Sequence, residues 1–164
     1  MRIVTLFLAL TLAAPVLGSE VDWKEFESPD HSFTVHFPMD PKIEATAYQT
    51  SDGRSFGAQT YSVAQETGTF TITVAEVPGD GEKSPLVDDA VNKLIQDGIV
   101  KFDIQHRIRS VYGRQLGIAV NGGYAYVAVF HHNNRLYQIE GKAFVAGGQA
   151  EVDAMHFQQS LDFP

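Results

Sequence analysis

An antiparallel sheet of about six to eight strands with two main helices packed on it, an α+β sandwich, is the fold class this sequence predicts. Three observations carry that expectation. Apolar and polar residues alternate over several short runs, as in Phe33-Thr34-Val35-His36-Phe37, the period of a half-buried strand. Leu86, Val87, Ala90, Val91, Leu94 and Ile95 recur instead at three- and four-residue spacing, the period of an amphipathic helix. Turn signals punctuate these runs, with no repeat, low-complexity tract or internal linker.

The chain opens with Met1 and Arg2 ahead of an apolar run, Ile3 to Leu12, broken at Pro15 and followed by Val16-Leu17-Gly18. That is the layout of a secretory signal peptide, with cleavage expected after Gly18. The run is shorter than the roughly 20 apolar residues of a stable membrane span, so no stable membrane insertion is expected. Residues 1–18 are thus read as signal and 19–164 as a single globular domain, exported to the periplasm or beyond.

In the domain, Trp23-Lys24-Glu25-Phe26 precedes a turn at Pro29-Asp30, and the strand from Phe33 stops at Pro38 and Pro41. Ile43 to Thr50 and Phe56 to Gln65 read as a hairpin around Ser51-Asp52-Gly53, and Thr69 to Val77 as the next strand. Three or four strands therefore come first. Pro78-Gly79-Asp80-Gly81 makes a loop, then Ser84 and Pro85 stand as N-cap and first helical residue, with Asp88 and Asp89 in the first turn. Gly98 ends that helix.

Phe102 to Ser110 and Arg114 to Val120 are the next strands, and Gly122-Gly123 turns the chain back. Tyr124 to His132 and Arg135 to Ala143 are joined by Asn133-Asn134, residues that tolerate the positive φ of a two-residue hairpin. Such closure sets His132 opposite Arg135, Phe130 opposite Tyr137 and Ala128 opposite Ile139, on one face with Tyr126. After Gly147-Gly148 a last helix runs from about Gln149 to Ser160.

Composition narrows the function classes. The formal charge of −8 becomes −9 once Arg2 is removed, leaving eleven basic residues against twenty acidic ones. Neither a nucleic acid nor an anionic membrane rewards that balance, and spread-out acids suit the surface of a soluble exported protein. With no cysteine, thiol redox chemistry and thiolate metal sites are excluded.

Four stretches carry a family resemblance: Asp30 to Pro38, Tyr112-Gly113-Arg114-Gln115, Asn134-Arg135-Leu136-Tyr137-Gln138 and Phe157-Gln158-Gln159-Ser160-Leu161. They resemble a group of small exported bacterial proteins of unknown function. In that group a Phe-x-Val-x-Phe-Pro strand comes early, a Gly-Arg turn and an Asn-Arg-Leu-Tyr strand come late, and a Phe-x-x-Ser-Phe/Leu helix end closes the chain. The group in turn resembles the PsbP-like fold, known from a lumenal accessory subunit of photosystem II and a Ran-binding nuclear import factor. The resemblance implies a PsbP-like sandwich and a binding or assembly role, and transfers no active site.

Chemical motifs are sparse. Gly53-Arg54-Ser55-Phe56-Gly57 matches the Gly-x-Ser-x-Gly elbow, which needs a strand entering and a helix leaving; here Ser55 sits between two strands. His131 and His132 point to opposite faces of one strand, His106 and His36 lie on other strands, and His156 lies alone on the last helix. Neither the helical nor the strand spacing of a metal site occurs, so no metal, cofactor or catalytic residue is assigned. Asp88-Asp89 and Asp80-Gly81-Glu82 are explained by capping and solvation, while Glu140 falls within a strand, on the face of Gln138 and Lys142 taken to be the wetter one.

Tyr126, Phe130, His132, Arg135 and Tyr137 form the best candidate surface, because rings beside a cation suit anionic or aromatic ligands and protein hot spots. The same stripe is an ordinary seat for the helix Leu86 to Ile95, and core packing is the preferred reading of Tyr126, Phe130 and Tyr137. Tyr126, His132, Arg135 and Tyr137 remain the binding candidates. The expectation is a monomeric, non-enzymatic binding or accessory protein of the cell envelope, its partner an envelope protein or small ligand. A small periplasmic hydrolase and a metal or cofactor carrier are the alternatives.

Overall fold

A computed structural model describes residues 22–79 and 85–164. The signal segment, Asp80-Gly81-Glu82 and the expected N-cap Ser84 lie outside the described residues. Nine strands and two helices follow in order: β1 (Lys24–Ser28), β2 (Phe33–Phe37), β3 (Lys42–Gln49), β4 (Ser55–Gln65), β5 (Gly68–Glu76), α1 (Pro85–Leu94), β6 (Ile99–Ile108), β7 (Val111–Val120), β8 (Gly123–His132), β9 (Arg135–Ala143) and α2 (Gly148–Gln159). Five strands precede α1, since Trp23-Phe26 leads into a true strand, β1, paired with β2.

The main sheet has seven antiparallel strands in the order β3-β4-β5-β9-β8-β7-β6, and β1-β2 stands apart as a two-stranded hairpin. Asn133 and Asn134 both adopt positive φ, and the ladder pairs His132 with Arg135, Phe130 with Tyr137 and Ala128 with Ile139 as the turn chemistry requires. Two other turns differ from expectation. Asn121 and Gly122, at φ of 41° and 82°, make the β7-β8 turn one residue earlier, so Gly123 already belongs to β8. The Gly113-Arg114 pair lies inside β7, where Arg114 makes the ion pairs described below, and the preceding turn is made by Arg109, at φ of 53°, and Ser110.

Alternation splits the core into two layers. One face packs Phe70, Ile72, Val74, Phe130, Tyr137 and Ile139 beneath the β1-β2 hairpin, Phe157 of α2 and the C-terminal Leu161 and Phe163. The opposite face packs Ala75, Leu116, Val127, Val129 and Leu136 against Leu86, Val87, Ala90 and Val91 of α1. The aromatic stripe is therefore not the seat of α1: it lies on the other face, and the even positions of β8 put it there.

The β1-β2 hairpin is held largely by rings. Phe33 is fully buried and lies 5.3 Å from the Tyr61 ring and 6.3 Å from that of Tyr137, while a backbone bridge joins Thr34 to Asp162. Helix α1 is short. It passes into a 3-10 turn, Ile95–Asp97, and Gly98 follows with extended backbone instead of a left-handed cap.

Asp88 and Asp89 do more than complement the helix dipole. Asp88 accepts from Arg114 Nη1 at 2.7 Å, Arg114 also pairs with Asp103 of β6, and Asp89 accepts from the Ser51 backbone N–H at 3.1 Å. These contacts fasten α1 between the β3-β4 turn and β7, over one end of its sheet face. The rest of that face is left for the cleft.

Candidate functional site

The uncovered part of the α1 face forms a cleft of about 520 Å³ between the C-terminal end of α1 and strand β3. That is within the range of small-molecule sites, about 300–1,000 Å³. Its floor has two halves. Toward β7 and β8 it is apolar, made by Ile118, Val120, Ala125 and Val127; toward β5 and β9 it is polar, made by Thr73, Gln138, Glu140 and Lys142. The register explains the seam, because Val127 lies opposite Glu140 and Ala125 opposite Lys142 across the β8-β9 ladder.

Gln138, Glu140 and Lys142 occupy alternate positions of β9, a strand hydrogen-bonded on both sides, and all three are half-buried. Among the described residues, Glu140 is in no ion pair within 4.0 Å, and neither it nor Gln138 makes a side-chain hydrogen bond. Burial pushes the Glu140 carboxyl above the ordinary carboxylate range, opposed by the Lys142 ammonium. This face was expected to be wet; α1 and β3 wall it in and make it a half-dry concave surface.

The walls add two groups. Tyr48 of β3 is buried, its hydroxyl has no hydrogen-bond partner among the described residues, and burial followed by the nearby Asp89 carboxylate pushes its pKa up to about 12. Lys93 of α1 lies over the Tyr48 ring at 4.6 Å and donates to the Gln49 carbonyl. Two ammonium groups and one carboxylate thus stand around one hollow, beside an apolar floor.

The four sequence candidates do not share one open surface. Tyr137 is fully buried and donates through its hydroxyl to the His31 carbonyl at 2.7 Å. Tyr126 donates to Glu151 of α2 at 2.9 Å, with burial first and that carboxylate second pushing its pKa up to about 12. Arg135 pairs with Glu76 at 2.8 Å, and the His132 ring packs 5.4 Å from Phe163. Arg135, Tyr137 and Glu76 meet His31, whose Nδ1 lies 2.6 Å from the Tyr61 hydroxyl, in a polar latch that pins the 3-10 turn after β1 to the sheet.

Other histidines are placed as strand geometry requires, with one exception. His131 and His132 point to opposite faces, His131 Nε2 lying 3.0 Å from the Val77 carbonyl. His156 is not alone, since its ring lies 4.6 Å from Trp23 and 5.6 Å from His36. Among the described residues no three His, Cys, Asp or Glu side chains come together as a metal site, and Ser55 makes no hydrogen bond to a histidine.

Burial lowers the pKa of His31, His106, His132 and His156 below the ordinary 6.5. Additional depression comes from Arg135 at His31, from His131 at His132 and from His36 at His156. Below about pH 6.5 the unfolded chain binds more protons at these sites than the folded one, so stability falls as pH drops from there through the folded values. Glu140 acts in the opposite sense, its raised pKa favouring the folded state as the carboxyl protonates, one carboxyl against four histidines. Thermal unfolding at about pH 5 is therefore expected at a lower temperature than at about pH 7.5; an unchanged or higher midpoint would contradict the burial argument.

No family model matches the chain, and no curated protein matches it. Among solved structures, cyanobacterial PsbP (CyanoP) from Synechocystis sp. PCC 6803 is similar, with a TM-score of 0.56 at 9% sequence identity. The match covers 93% of this chain and 98% of that one. At such identity the likeness is one of architecture alone. With its seven-stranded antiparallel sheet, a helix on each face and a small hairpin on one of them, the chain has the PsbP-like α+β fold.

Proposed function

We propose that this is an exported, non-enzymatic binding protein of the cell envelope that holds a small ligand in the cleft beside α1. The observation that carries this reading is the row Gln138, Glu140 and Lys142, polar side chains with unused bonding capacity on a central strand, facing an apolar floor. Half-buried polar groups without partners are costly, and a bound ligand supplies both partners and cover. Export rests on the Met1 to Gly18 layout.

An accessory role toward a larger envelope protein has its own support. Ile99 and Val145 are 67% and 70% exposed, with Phe144 and Val152 also exposed, at the sheet end that holds the β7-β8 turn. Exposed apolar residues gathered at one end of a sheet suit an interaction surface, and Phe144 and Val145 are adjacent there.

Native mass spectrometry of the untagged protein from its own host's envelope tests both readings. A small-molecule adduct that disappears in Thr73→Trp, a variant filling the cleft floor, is the expected result. An adduct that survives this variant would remove the cleft reading, and a co-purifying protein subunit would favour the accessory one.

A further inference from the structure

We propose that the cleft takes an apolar α-amino acid, its ammonium against Glu140, its carboxylate against Lys142 and its side chain on the floor made by Ile118, Val120, Ala125 and Val127. The inference rests on the cleft reading and names the ligand class. Positions 140 and 142 are alternate residues of one strand, so their Cα atoms stand about 6.5–7 Å apart with side chains on the same face. Opposite charges there have not closed into an ion pair within 4.0 Å. A ligand carrying both charges on one carbon bridges such a gap.

Charge selects against other classes. Glu140 on the floor disfavours a polyanion, and Lys142 on the floor with Lys93 on the wall disfavours a polycation. A pure hydrocarbon would cover both charged groups without pairing them, which is costly. The Tyr48 ring on the wall adds aromatic surface beside that floor. The apolar half of the floor, adjoining Leu94 at the end of α1, receives a branched or aromatic side chain.

L-Phenylalanine is the probe, set against 3-phenylpropionate, which lacks the ammonium, and phenethylamine, which lacks the carboxylate. Amide shifts in a labelled sample of the mature protein are expected at Thr73, Ala125 to Val127 and Gln138 to Lys142 with phenylalanine. Both truncated analogues should bind at least tenfold more weakly. Glu140→Gln should cost phenylalanine at least tenfold and 3-phenylpropionate little, and Lys142→Met should show the converse pattern with phenethylamine.

Equal binding of 3-phenylpropionate and phenylalanine, or no cleft shifts with phenylalanine up to about 10 mM, would overturn the proposal. The comparison of analogues on the unmutated protein holds even if a variant folds poorly. Should the host-derived adduct vanish in Thr73→Trp while phenylalanine fails, the ligand class falls and the cleft reading stands. An adduct indifferent to Thr73→Trp removes the cleft reading itself.

Discussion

Gly141→Val is expected to lower stability by about 3 kcal/mol or more and the thermal midpoint by roughly 6–12 °C. A Cβ at Gly141 would overlap the carbonyl oxygen of Ala154 and lie 2.7 Å from its carbonyl carbon and 2.9 Å from its Cα. Helix α2 thus packs backbone to backbone on the middle of β9, and any side chain at that point must push the helix off the sheet. The displacement would open the layer containing Phe157, which is fully buried and sits 5.0 Å from Phe37 and 5.4 Å from Phe70. Urea or thermal unfolding measures it; a loss under about 1 kcal/mol would mean that α2 is free to shift.

Phe33→Ala is the second large effect, at about 3–5 kcal/mol, the ordinary cost of truncating a fully buried phenylalanine. Its ring is the central member of a cluster with Phe26, Tyr61 and Tyr137 that seats the β1-β2 hairpin on the sheet. The loss should be local before it is global. Amide exchange ought to accelerate in Lys24–Ser28 and Phe33–Phe37 while Ile72 and Ile139 stay protected, because the β5-β9 ladder does not depend on the hairpin. Uniform acceleration across both layers would show instead that the hairpin and the sheet unfold as one unit.

Much of the architecture was legible in local signals. Period-2 alternation marked β2, the helical spacing of Leu86 to Ile95 marked α1, and Asn133-Asn134 set the β8-β9 register to the residue. Local signals do not say which face an element covers. The aromatic stripe and α1 each had an apolar face in need of cover, yet alternation along β8 sends Val127 and Val129 to α1 and Phe130 to the other layer. Only the long-range placement of α1, fixed by Arg114 and the Ser51 N–H, decides between them.

The candidate site was harder to read for the same reason. Glu140 stood out within a strand, but three alternating polar residues on a strand ordinarily signify a solvated face. What makes them a cleft floor is the shortness of α1, the wall formed by Tyr48 and Lys93, and the pairing of β9 on both sides. A signal was present in hindsight: a strand whose other face is Tyr137, Ile139 and a close-packed Gly141 is central, and polar residues on a central strand call for a partner.

The strand order has a consequence for how the molecule is assembled. β3, β4 and β5 form one run of hairpins and β6, β7, β8 and β9 another, so every neighbour in each run is close in sequence. A single ladder, Gly68–Glu76 with Arg135–Ala143, zips the two runs together across more than sixty intervening positions on average. Closing it carries most of the chain entropy of the sheet, as long-range pairings do in slow-folding β proteins. The polar floor straddles this zip, with Thr73 on one run and Gln138, Glu140 and Lys142 on the other. The cleft floor is therefore incomplete until this ladder closes, and a ligand held there would act as a clasp across the two halves, opposing their separation.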